Sequence, residues 1–218
     1  SDVYKRQYMN RHLIIYLFAL LAPMALLTSC SESDGDPEEF ANWKKTNDDY
    51  FNNLYATAKS SASLGDKSWK VIRQWSLEES AAKDPYDHIV VNVLENGTGS
   101  GCPLYTDSVK VHYEGRLLPS TSYPEGYVFD KSFTGEYSPA TSTPATFGVS
   151  GVVDGLSTAL QHMHIGDRWK VYIPYQLAYG TTNNGTIPAY STLVFDVTLV
   201  SYYRAGVDLS LIHISEPT

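Results

Sequence analysis

Aromatic residues in the stretch from Val109 to Val200 are spaced for binding an apolar group rather than for cleaving a bond. Alternation of apolar and polar residues from Val109 to Leu117 places Tyr113 on the same strand face as Val111. Further aromatic residues recur at inner positions of the later apolar segments. The chain contains no G-x-S-x-G motif that would present a nucleophilic serine. The residue types therefore predict a pocket that encloses its ligand.

Other chemistries are not favoured by the remaining motifs. His162-x-His164 provides only two ligands, too few for a zinc site, and we predict that both histidines lie on the surface after a helix. The glycine-rich segment 96–101 is not followed by a helical pattern, so we interpret it as a mobile turn and not as a nucleotide-binding loop. We interpret the N-G-T sequences at 96–98 and 184–186 as turns. No metal and no cofactor is predicted.

Alternating segments that start at His88 predict a domain made mainly of β-strands. Trp169, Val171 and Ile173, for example, alternate with charged or polar residues. One internal helix is predicted over residues 152–163, where apolar residues recur at helical spacing. One short helix against about five antiparallel strands is an α+β architecture.

The motifs along residues 87–204 resemble those of the FKBP-type peptidyl-prolyl cis-trans isomerases. In order, the chain has V-x-V-H-Y-x-G-x-L, V-F-D, G-V-V-x-G-L, M-x-x-G-D, I-P, L-A-Y-G, I-P and T-L-V-F-D-V. Each motif alone is weak, whereas the whole set in this order is specific. The resemblance implies a half-open antiparallel β-sheet wrapped around one short α-helix, and it implies peptidyl-prolyl cis-trans isomerase activity.

The resemblance also assigns residues to a catalytic pocket. Tyr179 is expected to donate its hydroxyl to a substrate carbonyl, and Leu156 is expected to lie beneath the proline ring. Backbone groups of Val152 and Val153 are expected to hold carbonyl groups of the ligand. Asp130 either turns inward and polarises the pocket or is an exposed turn residue. The full expected set is Tyr113, Phe129, Asp130, Phe147, Val152, Val153, Leu156, Tyr179, Ile187 and Phe195.

The chain departs from the family pattern at several positions. Leu156 stands where the best-known members have Trp, and Ala145 stands where the family often has Phe. Lys131 is the only candidate for a basic partner of Asp130. The loops 118–127 and 133–146 are longer than in the minimal pattern. These differences leave the predicted fold unchanged, but they lower the expected catalytic strength and the expected affinity for macrolides.

The amino-terminal region has the features of a bacterial lipoprotein signal. Residues 9–29 contain a short basic start and an apolar run that is too short to span a bilayer. The run ends in L-T-S-C, which resembles a lipobox and predicts lipidation of Cys30; an ordinary signal peptide or a membrane anchor is the alternative. Residues 30–36 would be the lipidated cysteine and its tether, and Cys102 would remain a lone, half-buried thiol. Residues 1–8 and 205–218 are interpreted as non-native flanks.

Charge and localisation signals limit the partners. The 218 residues carry a net charge of −8, which argues against nucleic-acid binding because that requires a basic surface. We expect an exported protein, anchored by its lipid to a membrane of a bacterial cell envelope, whose clients are proline-containing polypeptides.

A second helix is predicted from Pro37 to about Ala62, within an extension that covers residues 37–86. Asp36 is suited to the N-cap, Pro37 to the first turn and Glu39 to a capping box. Apolar and aromatic residues at three- and four-residue steps form one face. This face either lies on the main domain, residues 87–204, or pairs with a second copy in a homodimer.

Two functions remain open at this point. The first is a lipid-anchored prolyl isomerase that assists folding of exported or envelope proteins. The second is a catalytically weak or inactive peptide-binding module or chaperone on the same fold, which the departures at Leu156 and Ala145 favour.

Overall fold

The computed structural model describes residues 38–138 and 141–204. The predicted signal peptide, Cys30, its tether and both flanks lie outside these residues. So do Asp36 and Pro37, the predicted start of the first helix. No helix in the described part combines the length and the apolar character that crossing a membrane requires.

A seven-stranded antiparallel sheet forms the body of the described chain. Its strand order is β1-β2-β6-β7-β3-β4, and β5 pairs with β3 beside β4. Alternating burial, as in β6 and β7, matches the period of the apolar residues. The α+β prediction is confirmed. The strands are β1 Trp69–Arg73, β2 His88–Glu95, β3 Ser108–Arg116, β4 Val128–Lys131, β5 Ala145–Gly148, β6 Arg168–Ile173 and β7 Leu193–Tyr203.

The internal helix packs against the concave face of this sheet but is shorter than predicted. It spans Asp154–Leu160, and residues 155–160 are all buried. The helix ends early because the next backbone amides, those of His162 and Met163, bond to carbonyls three residues back, which forms a turn. Gly155 allows a close approach, since a Cβ there would lie 2.2 Å from Ile173 Cγ2. We call this helix α2.

The first helix, α1, spans Trp43–Ser63 and so begins six residues after the predicted start. Residues 39–42 form a turn, and Asn42 adopts a left-handed conformation with φ 55°. The capping-box prediction for Glu39 is wrong. Its carboxylate instead accepts hydrogen bonds from the hydroxyls of Ser120 and Ser122 and from the Ser122 amide. The Glu39 side chain therefore makes contacts with residues distant in sequence and does not cap the helix.

The apolar face of α1 lies on the sheet of the same chain. Phe51 and Ala58 are buried against Val90 of β2. The Trp43 indole donates to Ser191 Oγ over 2.8 Å, and the buried Asn47 side chain accepts the Thr192 amide over 2.7 Å. The sheet is thus covered on one face by α2 and on the other by α1, which explains why consecutive residues of β2 are buried.

The glycine-rich segment 96–101 is an irregular connection and not the predicted turn, and it packs closely at Gly97 and Gly99. The Gly97 amide donates to Asp167 Oδ1 over 2.7 Å, and the Gly99 amide donates to the Ile165 carbonyl over 3.1 Å. A Cβ at Gly97 would lie 2.2 Å from the Ile165 carbonyl oxygen. These glycines therefore serve close backbone packing.

Candidate active site

A cleft of about 860 Å³ opens on the concave face of the sheet, above α2. All ten residues of the expected pocket line it. Strands β3, β4, β5 and β7 provide the walls, and the segment that enters α2 provides Val152 and Val153. Tyr179 and Ile187 come from the long connection between β6 and β7. Residues more than eighty positions apart are thereby brought into one site.

Four aromatic rings form the side walls of the cleft. Phe129 and Phe195 meet edge to face with ring centroids 5.5 Å apart. Tyr113 lies 6.2 Å from Phe195 and 6.1 Å from Phe147. These distances are in the range that stabilises aromatic pairs. The contacts fix the rings against one another, so the walls are largely formed before a ligand binds.

The position of the walls depends on Gly115 of β3. A Cβ at this residue would lie 2.5 Å from Phe129 Cζ and 2.9 Å from Phe195 Cε1. Both rings occupy the space that a side chain would take. The glycine at this position of the V-x-V-H-Y-x-G-x-L motif is thus explained by steric exclusion, because a larger residue would clash with the two rings.

The floor of the cleft is apolar. Leu156 of α2 is 4% exposed and Ile187 is 6% exposed. Neither side chain has a polar atom. Binding of an apolar ring on this floor therefore removes apolar surface of both the ring and the floor from water, which is favourable. The floor therefore suits a proline ring or another small apolar group.

Tyr113 and Asp130 form the polar part of the wall. The Tyr113 hydroxyl donates to Asp130 Oδ2 over 2.6 Å. Burial, together with this bond and the charge of the carboxylate, holds the pKa of Tyr113 well above its usual value. The phenol is consequently a neutral donor at physiological pH, and it orients the carboxylate towards the cleft.

Lys131, the only candidate for a basic partner of Asp130, does not pair with it. Its ammonium group donates to the Gly135 carbonyl over 3.3 Å and lies 5.3 Å from the centre of the Phe133 ring. Neighbouring side chains on a strand point to opposite faces, which sends Lys131 away from the cleft. Within residues 38–138 and 141–204, Asp130 forms no ion pair.

Tyr179 lies at the rim of the cleft and is 39% exposed. Among the described residues its hydroxyl makes no hydrogen bond, so it is available to a ligand. Its backbone is held by the turn that follows β6, where the Gly180 amide donates to the Tyr175 carbonyl over 2.8 Å. A donor at the rim of an apolar cleft can fix the orientation of a peptide.

Sequence reasoning missed four lining residues: Gly151, Asn184, Gly185 and Thr186. The last three form a tight turn in which the amides and carbonyls of Asn184 and Ile187 bond reciprocally over 2.9 Å. The Asn184-Gly185 dipeptide signalled a turn. Nothing local signalled that this turn reaches the cleft.

The lining residues support binding and orientation rather than covalent catalysis. They include no Ser, Cys, His or Lys side chain. Elsewhere in the described part, Cys102 Sγ lies 3.8 Å from His164 Nε2, and no group of three potential metal ligands occurs. Burial raises the pKa of the Cys102 thiol, which disfavours a reactive thiolate.

The family model described as FKBP-type peptidyl-prolyl cis-trans isomerase matches residues 102–200. These residues form an FKBP-type domain. All ten expected pocket residues lie within the match.

Among curated proteins, the chain is 39% identical to the macrophage infectivity potentiator of Trypanosoma cruzi over 136 residues, or 62% of this chain and 63% of that protein. It is 40% identical to the FKBP-type 22 kDa peptidyl-prolyl cis-trans isomerase of Escherichia coli over 129 residues, or 57% of this chain and 56% of that protein.

The chain spans less than two thirds of the length of these curated relatives. Among solved structures, a peptidyl-prolyl cis-trans isomerase from Pseudomonas syringae matches with a TM-score of 0.51 and 26% identity, and the match covers 78% of this chain and all of that one. That coverage exceeds the FKBP-type domain alone. The segments before residue 102 are thus part of the structural likeness.

Two departures from the family pattern can now be placed around the FKBP-type domain. Leu156 forms the cleft floor, so its smaller side chain leaves the cleft deeper than an indole would. Ala145 pairs with Val111 in the sheet and does not line the cleft. The first departure therefore affects ligand contacts directly, whereas the second lies outside the cleft lining.

Proposed function

We propose that this protein is a peptidyl-prolyl cis-trans isomerase that assists the folding of exported or envelope proteins. The observation that carries the proposal is the cleft itself, where four aromatic rings and Leu156 enclose an apolar space with the Tyr179 hydroxyl at its rim. The family match and the isomerases among the relatives support it.

The reaction needs no covalent step. Rotation about a peptide bond has a barrier of about 18–20 kcal/mol, which comes from amide resonance. A catalyst must therefore bind the twisted amide more strongly than either planar form. Every ~1.4 kcal/mol of such preference gives about tenfold in rate.

Different residues of the cleft contribute to the preferential binding of the twisted amide. The aromatic walls and the Leu156 floor grip the proline ring and remove water from the prolyl carbonyl, which weakens the resonance of the planar form. Tyr179 donates its hydroxyl to a neighbouring carbonyl, and backbone groups at Val152 and Val153 hold the chain on the other side. The carboxylate of Asp130, oriented by Tyr113, polarises the space where the amide rotates.

A protease-coupled isomerisation assay with a panel of Xaa-Pro peptides tests this proposal. We expect clear acceleration by the purified protein, and we expect Tyr179→Phe to lower kcat/KM by about three- to tenfold, the effect of one lost hydrogen bond. Tyr203→Phe is the matched control because Tyr203 is exposed at the end of β7, away from the cleft. Absence of acceleration by protein that circular dichroism shows to be folded would reject the proposal.

A peptide-binding module or chaperone with weak or no isomerase activity is the second candidate. Two observations favour it: the floor is Leu156, and Asp130 has no cationic partner among the described residues. This candidate predicts that suppression of client aggregation persists in Tyr179→Phe and in Asp130→Ala. Joint loss of aggregation suppression and isomerase activity in both variants would contradict it.

The cellular placement is also a proposal. We propose that residues 9–29 are a lipoprotein signal peptide and that a lipid on Cys30 anchors the protein to an envelope membrane, on the periplasmic or the surface side. The L-T-S-C sequence supports this. Metabolic labelling with a fatty acid should mark the wild-type protein and not Cys30→Ser; equal labelling of both would reject it.

Homodimerisation and the domain limits are further proposals. The apolar face of α1 is buried on its own sheet, so a dimer through residues 37–62 would have to use the other face of the helix. Light scattering at micromolar concentration tests this, and a monomer would reject it.

We propose 87–204 as the isomerase domain and 37–86 as its extension, which limited proteolysis can test.

A further inference from the structure

The connection between β6 and β7, residues 174–192, carries two residues of the cleft, Tyr179 and Ile187. It contains one 3₁₀ turn, Tyr175–Leu177, and otherwise no helix or strand. A segment with so little regular hydrogen bonding depends on contacts with other elements for a defined position. The contacts of this connection therefore decide where the floor and the rim of the cleft lie.

The first turn of α1 holds the connection through two consecutive hydrogen bonds. The Trp43 indole donates to Ser191 Oγ over 2.8 Å, and the Ser191 hydroxyl donates to the Pro188 carbonyl over 2.7 Å. The Trp43 and Ser191 side chains are both buried, which strengthens a hydrogen bond between them. Pro188 directly follows Ile187, the floor residue. The two bonds thus join α1 to the floor of the cleft.

Two further contacts of α1 reach the same connection. Asn47 Oδ1 accepts the Thr192 amide over 2.7 Å. The Lys44 ammonium lies 5.6 Å from the centre of the Tyr190 ring and 5.9 Å from that of Tyr175. The two rings pack edge to face with their centroids 5.3 Å apart. Residues from the beginning and the end of the connection therefore meet beside α1.

Tyr190 adopts a backbone conformation that needs support from its surroundings. Its φ of 64° lies in the left-handed region, which is uncommon for a residue with a side chain. Such a conformation persists where neighbouring contacts enforce it. The Tyr190 amide donates to the Gly180 carbonyl over 3.0 Å, and Gly180 follows the rim residue Tyr179. The bonds from α1 to Ser191 and Thr192 thus stabilise the backbone beside a link to the rim.

The contacts of α1 fall into two groups. Trp43 belongs to the same buried cluster as Ile187. Phe51 and Ala58, further along the helix, belong to a separate cluster with Val90 of β2. The first turn of α1 therefore packs on the core beneath the cleft, whereas its later turns attach the helix to β2.

We infer that α1 positions the floor of the cleft. Trp43 is the positioning residue, and it acts on a bound proline ring through Ile187 without touching the ring itself. The inference rests on the proposed function, since it takes the cleft as the site that binds Xaa-Pro peptides. It extends the functional unit from the matched residues 102–200 to a helix that precedes them.

Titration of the purified protein with a short Leu-Pro peptide, followed by NMR, tests this inference. Trp43→Phe keeps an aromatic ring and removes the N–H, and Ser191→Ala removes the hydroxyl and leaves the indole in place. We expect each change to raise the Kd of the peptide about three- to tenfold, the effect of one lost hydrogen bond. Trp75→Phe is the matched control and should keep the wild-type Kd, because Trp75 stacks on Tyr105 and does not line the cleft.

Three readouts separate positioning from a general loss of stability. Ala58→Gly weakens the later part of α1 and should lower the urea midpoint without changing the Kd. In Ile187→Ala protein, Trp43→Phe should change the Kd by less than about twofold, because the residue through which it acts is gone. In the isomerisation assay, Trp43→Phe should raise KM and leave kcat unchanged, since the floor contacts the ring in planar and twisted forms alike.

The inference is overturned if folded Trp43→Phe and Ser191→Ala proteins bind the peptide as the wild type does. It is also overturned if Ala58→Gly raises the Kd equally at the same loss of stability, or if Trp43→Phe keeps its full effect in Ile187→Ala protein. A wild-type protein that binds the peptide without accelerating its isomerisation would reject the proposed function alone, because the Kd still reports the position of the floor. A wild-type protein that binds no such peptide would reject both.

Discussion

Gly115 determines how closely the aromatic walls of the cleft approach each other. Its missing side chain lets Phe129 and Phe195 meet over β3, and these two rings shape the space above Leu156. The geometry of the site thus depends on the lack of a Cβ atom at Gly115 as well as on the aromatic rings themselves.

Gly115→Ala is expected to displace Phe129 and to lower isomerase activity. Crowding of this kind costs about 1–3 kcal/mol of unfolding free energy. Gly148→Ala is a matched control, because the nearest atom to a Cβ there is 3.8 Å away and φ is −71°. Urea unfolding and the peptide assay on both variants test this. A Gly115→Ala protein with the stability and activity of the control would contradict the role assigned to Gly115.

The residues of the cleft could be expected from the sequence because their motifs resemble those of the FKBP family, and each motif lies on a single strand or turn. Whether Asp130 has a cationic partner could not be predicted, since Lys131 was the only candidate and lies next to Asp130 in the chain. Strand alternation decides the outcome, and it turns Lys131 towards Phe133. The contribution of Asn184 was also hidden, because it depends on where a long connection folds back.

At the scale of elements, α1 is held to the sheet by a small number of buried polar contacts. Asn47 is fully buried, and its amide both donates to the Trp43 carbonyl over 2.8 Å and accepts the Thr192 amide. The helical periodicity predicted the buried face. The start of the helix was predicted too early, because Glu39 bonds to serines some eighty residues away and sequence windows do not include such contacts.

Asn47→Ala should lower the unfolding free energy by about 1–3 kcal/mol, since it leaves the buried Thr192 amide without a partner. Asn53→Ala is the control: Asn53 is on an exposed position of the same helix, and alanine is the better helix former. Denaturant unfolding followed by circular dichroism measures both. If the two variants unfold alike, the Asn47 contacts do not hold the helix.

At the scale of the whole molecule, tyrosines between α1 and the sheet make stability dependent on alkaline pH. Burial, with a smaller contribution from Tyr50, raises the pKa of Tyr172 to about 12. The unfolded chain ionises this group near pH 10. Because the folded-state pKa is the higher one, the stabilisation is fully present below pH 10 and is lost as the pH rises towards 12.

We therefore expect the melting temperature to fall between pH 10 and 12, and to fall less steeply in Tyr172→Phe. Tyr203→Phe, at an exposed position, should retain the wild-type slope. Thermal melts at several pH values measure this. A slope that is the same in all three proteins would show that Tyr172 does not govern the alkaline transition.

The strand order has a consequence for how the protein is made. β7, the last strand of the described chain, lies between β6 and β3 and is the strand that links the two halves of the sheet. During synthesis, β1, β2 and β6 on one side, and β3, β4 and β5 on the other, leave the ribosome before the strand that joins them. Pairing over such sequence distances is slow to form. A nascent chain therefore stays without its completed sheet until β7 has been made, and such an unfolded state is compatible with the export proposed for this protein.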